Sequence, residues 1–214
     1  MLTGLLGFAL ATTLLIVAPG PDTMVVIRNT LRGGRRPGVT TSAGILTGLF
    51  IWAVAAALGL SALLQASRVG YDVLRFAGAV YLTWLGLTSL GLFRRRGTRH
   101  QDGVEEPAEA QRPAVTPRRA YLNGVMSNLF NPKIGVFFIA FLPGFIPAGQ
   151  SAMVSSFLLG MWFVAETGLW LAALVWMATR GVGWLRHSAA QRWLERATGV
   201  VLIGFGVRLA TEAR

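Results

Sequence analysis

A chain of 214 residues in which 53% are hydrophobic and only 14% are charged cannot hide its apolar surface inside one water-facing domain, where about 25% charge is usual. The net charge of +11 does not indicate nucleic acid, because the basic residues fall in gaps between long apolar runs and form no stripe on one face. With no cysteine present, disulfides, thiolate catalysis, thiol redox chemistry and cysteine-ligated zinc are all excluded.

The apolar runs predict six membrane spans, since a helix needs about 20 apolar residues to cross the hydrocarbon core. The expected fold class is therefore an all-α integral membrane protein. The first span covers 2–27 and is interrupted at Pro19-Gly20-Pro21-Asp22. A cleaved secretory signal would open with positive charge, yet no Lys or Arg precedes Arg28, so this segment is expected to be retained. The second span covers 39–64 and the third 73–92. A polar stretch follows, with Arg94-Arg95-Arg96, Glu105-Glu106, Glu109 and three prolines before Arg119. It is too poor in apolar residues to fold alone and reads as a flexible linker. The fourth span covers 121–146, the fifth 153–177 and the sixth 193–210. The chain thus divides into a three-helix unit at 1–92, a charged linker at 93–120 and a second three-helix unit at 121–214.

Orientation follows from the arginines. Arg28, Arg32, Arg35 and Arg36 follow the first span, the linker holds a further group from Arg94 to Arg119, and Arg180, Arg186 and Arg192 follow the fifth. The opposite loops carry Arg68 and Arg75, nothing between Pro147 and Met153, and Arg208 and Arg214 at the end. Excess positive charge marks the cytoplasmic side, which places both termini outside and the linker inside.

The two units resemble each other. Pro21 matches Pro132 at an offset of 111, and Gly44-x-x-x-Gly48 matches Ser156-x-x-x-Gly160 at 112. Leu74, Val80, Leu82 and Gly86 match Leu194, Val200, Leu202 and Gly206 at 120. Three spans is an odd number, so the second unit enters from the opposite side, giving an inverted repeat. The small residues Gly44, Gly48, Ser156 and Gly160 are expected to let helix backbones approach closely.

The chemistry sits at two helix breaks. Pro19 and Pro21 lack amide hydrogens and should split the first span near Gly20. Asn131-Pro132 gives the same signal in the fourth span, with Asn at the N-cap and Pro at the first helical position. Irregular backbone within a membrane is tolerated only where protein buries it or it lines a wet cavity. Each break is followed at once by a charge, Asp22 or Lys133. A helix start favours Asp22 as a carboxylate and disfavours Lys133 as an ammonium, so Lys133 needs a partner, for which Asp22 is the natural candidate. Ionisable groups within spans suggest a substrate or ion path, although a structural pair docking the two units is the alternative. Glu166 is the other acid deep in an apolar run; it is a candidate proton carrier or a neutral, hydrogen-bonded packing residue. His100 and His187 lie in loops without metal-ligand spacing, and no nucleophile elbow or phosphate-cradling loop occurs. No metal, cofactor or enzyme activity is expected.

The pair of motifs, Pro19-Gly20-Pro21-Asp22 and Asn131-Pro132-Lys133, resembles the two signatures of the lysine-exporter family, the LysE/RhtB group that includes homoserine and threonine efflux permeases. Length, six spans and the repeats agree, so the resemblance extends over essentially the whole chain. It implies export of amino acids or their derivatives across a bacterial inner membrane, by exchange with protons, and makes a homodimer plausible. Pro19, Gly20, Pro21, Asp22, Asn131, Pro132 and Lys133 would then line the path, the family accepting Asn or Asp at the place of Asp22. The alternatives are an exporter of another small solute or cation, and a membrane assembly factor that transports nothing.

Overall fold

The computed structural model describes residues 2–66, 68–91, 115–147 and 149–180, together with positions 196, 199–200, 203–204 and 206–207 near the C-terminus. Every regular element among them is helical. Positions 93–114 of the expected linker, and most of the expected sixth span, lie outside the described residues.

Helix α1 spans Leu2–Val17 and α2 spans Pro21–Gly33. Between them, Pro19 cannot extend the ladder of α1 and disfavours helical backbone at Ala18. Gly20 adopts extended backbone as the N-cap of α2, and Pro21 fills its first position. The two helices meet at 49°. The second helix runs past the expected end at Ile27 because no breaker occurs before Gly34, whose φ of 77° and amide bond to the Thr30 carbonyl close it. Arg28 and Arg32 therefore stand on a helix and not in a loop.

Helix α3 spans Arg35–Ala66 and α4 spans Arg68–Ser89. Both begin several residues before the apolar runs that announced them, because helix propagation does not require apolar residues. Pro37 is tolerated near the start of α3, where amides have no intrahelical partner. In α4 the apolar stretch is confined to Phe76–Thr88.

Helix α5 spans Pro117–Leu129, capped by the Thr116 hydroxyl, which accepts from the Arg119 amide. The expected linker thus ends four residues early. Asn131 caps the next helix, α6 (Pro132–Val136), its side chain accepting from the Lys133 amide. That helix loosens into a π turn over Phe137–Phe141 and tightens into a 3₁₀ turn over Leu142–Phe145. The α5–α6 break bends by 50°. Helix α7, Ala152–Thr179, runs unbroken from a Ser151 cap.

By length and composition, α3 over Arg35–Gly59 and α7 can each cross a membrane, and each bent pair qualifies when taken as one span. Phe8, Ile45, Leu49, Phe137, Phe163 and Leu174 form the centre of the core. Leu6, Leu10, Phe76, Leu158, Trp162 and Leu169 lie exposed on the outside, as a lipid-facing surface requires and a water-facing one does not.

Helix α5 lies tightly along α3. A Cβ at Gly124 would overlap the Thr41 carbonyl oxygen, and one at Gly44 would overlap that of Tyr121. Gly48 faces the Asn128 side chain, and Gly160 faces Ala53 and Phe138. Ser156 is fully buried. Gly44, Gly48 and Gly160 thus sit where neighbouring helices approach closely.

Candidate functional site

The two breaks come together around a small cavity of about 30 Å³. Its polar wall is formed by Gly20 and Asp22 from the first break and by Asn128, Asn131 and Lys133 from the second. Thr23, Thr167 and Trp170 also line the cavity, and Leu15, Ile45, Leu49, Phe163 and Leu171 make much of the rest apolar. In this conformation it has room for about one water, but a few polar groups converging beside an apolar lining are the usual makings of a small-molecule site. Pro19, Pro21 and Pro132 do not line it; they shape the chain that does.

Asp22 is reached by three donors from across the break. The Ser127 hydroxyl donates to Oδ1 at 2.6 Å, and the side-chain amides of Asn128 and Asn131 donate to Oδ2 at 2.9 and 3.1 Å. Lys133 reaches the other way, its Nζ donating to the Ala18 carbonyl at 3.2 Å. The expected ion pair is therefore corrected: among the described residues none joins Asp22 and Lys133, although both line the cavity. The physical reason is the helix end. Ala18 lies just past the C-terminus of α1, where carbonyls lack partners and carry partial negative charge, so it offers the ammonium what the start of α6 denies it. Each break is braced by the charged residue of the other.

Asn128 and Ser127 were not singled out in the sequence. The available signal was a cluster of short polar side chains, Ser127, Asn128 and Asn131, ahead of the proline in an otherwise apolar span.

Glu166 lies elsewhere. Its carboxylate accepts from the Thr12 hydroxyl at 2.6 Å and from that of Thr13, which ties α7 to α1 outside the cavity lining. Beside the cavity stands an aromatic cluster. Phe163 stacks on Phe137 with centroids 4.2 Å apart, and Phe8 joins through Phe137 at 6.2 Å and Phe145 at 5.2 Å. The π turn supplies Phe137, Phe138 and Phe141 to this region. Local π geometry often accompanies functional sites in helices, and no sequence signal announced it.

Broken helices, apolar outer surfaces and polar groups converging at the breaks define the class: a helical membrane protein. Residues 13–213 match the LysE type translocator family, and the chain belongs to it. It is a translocator and not an enzyme. The chain is 30% identical over 208 residues to the uncharacterized membrane protein YrhP of Bacillus subtilis (strain 168), covering 95% of this chain and 97% of that one. It is 28% identical over 204 residues to the homoserine/homoserine lactone efflux protein of Salmonella typhimurium, covering 95% and 94%. With the threonine efflux protein of Escherichia coli (strain K12) the identity is 27% over 214 residues and 98% of both chains. No solved structure shows a significant match.

Proposed function

We propose that the protein exports amino acids or amino-acid derivatives across a bacterial inner membrane, as a secondary transporter driven by protons. The observation that carries this reading is the cavity at the paired breaks, with one cation and one anion on its polar wall. An amino acid presents a carboxylate and an ammonium a few ångströms apart. Lys133 suits the first, and Asp22 with the carbonyls freed at the break suits the second. A substrate carboxylate would draw the Lys133 ammonium, whose one bond in the structure goes to the Ala18 carbonyl, so binding would weaken the brace and couple occupancy to rearrangement.

The rearrangement we propose is rocking of two inverted three-helix units, 1–92 and 121–214, about the cavity. Two features support it. The breaks bend by nearly equal angles, 49° and 50°. Further, Gly86 packs on the Gly199 carbonyl while Gly206 packs on that of Ala79. At the offset of 120 these two contacts are one contact written twice, the reciprocity that a two-fold axis produces. The arginine distribution supports both termini outside and 93–120 in the cytoplasm. Lipid would cover the exposed apolar faces, and a homodimer is part of the proposal.

Glu166 is proposed as the proton carrier. It is an acid within a span whose partners are hydroxyls, which can donate to its carboxylate or accept from its protonated form.

The reading is tested by loading bacterial cells with dipeptides of single amino acids, with and without this protein. Cells lacking it should retain one or a few amino acids, relieved on re-expression; identical retention for every dipeptide would refute the exporter reading.

A further inference from the structure

We infer that Thr167 and Trp170, on one face of α7, are substrate-recognition residues that complete with Lys133 a donor wall for a carboxylate, and that the cavity takes amino acids with uncharged, largely apolar side chains in preference to cationic or acidic ones. This rests on the amino-acid reading above and narrows it.

Thr167 departs from the habit of its neighbours. In an apolar helix a hydroxyl ordinarily bonds the carbonyl one turn back. Thr30, Thr41, Ser42 and Thr83 all do so here. The Thr167 hydroxyl does not: the residue is 8% exposed and its Oγ1 is buried with no partner. Ser156 shares that lack but does not line the cavity. One turn further along the same face, the Trp170 indole nitrogen is also buried without a partner, although such a group, a donor only, usually finds one when buried. Both residues line the cavity that Lys133 lines.

The balance of donors and acceptors then decides the occupant. An ammonium has three N–H groups, and one of those on Lys133 is taken by Ala18. Asp22 already receives three hydrogen bonds, close to the capacity of a carboxylate. On the same lining the Asn128 Oδ1 is a buried acceptor without a partner, so the wall offers unused donors to a carboxylate and an unused acceptor to an ammonium. Among the described residues, Asp22 and Lys133 are the only charged ones lining the cavity. Neither is left over for a charge on the substrate side chain, which would be buried against Leu15, Leu49 and Leu171 unpaired.

The test uses the purified full chain in proteoliposomes and follows counterflow of radiolabelled leucine, threonine, lysine and aspartate. Leucine and threonine should exchange at least about tenfold faster than lysine and aspartate. Thr167→Val and Trp170→Phe should each raise the half-saturation concentration for leucine about tenfold, as expected for a lost hydrogen bond to a charged group. Thr167→Ser, which keeps the hydroxyl, should stay near the wild-type value. Lysine exchanged as fast as leucine, or unchanged half-saturation in both Thr167→Val and Trp170→Phe, overturns the inference and leaves the exporter reading standing. No exchange of any of the four overturns both.

Discussion

Asp22 occupies the first turn of α2, where amide groups already favour its charge, yet its side-chain partners all come from the second break and the last turn of α5 before it. Asp22→Ala should leave Asn128 and Asn131, 0% and 4% exposed, without the acceptor they share. The expected cost is about 1–3 kcal/mol for each donor that water cannot reach, read as a lower unfolding temperature in detergent. Glu166 separates driving force from passage. Glu166→Gln keeps an oxygen for Thr12 or Thr13, so counterflow without a gradient should persist while pH-driven accumulation is lost. If both persist, Glu166 is a packing residue and no proton carrier. At this scale the sequence was legible where chemistry is local: Pro19, Pro21 and Pro132 lack amides wherever they stand. It was not legible where the partner is distant. Nothing near position 133 says that its ammonium will meet a carbonyl at position 18.

Elements are placed by steric fit as much as by hydropathy. Gly124 and Gly44 let α5 and α3 touch backbone to backbone, whereas Gly4 and Gly7 meet nothing within 4 Å. Gly124→Ala should therefore destabilise by about 1–3 kcal/mol through overpacking, and Gly4→Ala should be tolerated; thermal unfolding of the two variants checks the contrast. Equal effects would mean that the crossing is not as tight as described. Phe137 is 1% exposed and stacks on Phe163 at 4.2 Å, so Phe137→Ala should cost about 3–5 kcal/mol. Apolar runs located the spans but not their ends. Thr116-Pro117 is a helix start in cap chemistry, yet its setting among arginines and prolines gave it the look of linker. The π turn at Phe137–Phe141 brings Phe137 and Phe138 against Phe163, and Phe-Phe-Ile-Ala-Phe carries no local instruction for it.

For the whole molecule, the absence of cysteine makes topology directly measurable. A single cysteine placed by Gln150→Cys should react with a membrane-impermeant maleimide in intact cells, and one placed by Thr116→Cys only after permeabilisation. The reverse pattern would invert the proposed orientation. The central claim is that two helix breaks, each braced by the other's charge, form the site through which the solute passes. Its most direct test is amino-acid counterflow by Asp22→Ala and Lys133→Ala in proteoliposomes, with each variant confirmed as monodisperse. Both should fall to the background of empty liposomes; normal exchange by either folded variant would show that the solute does not pass between the braced breaks.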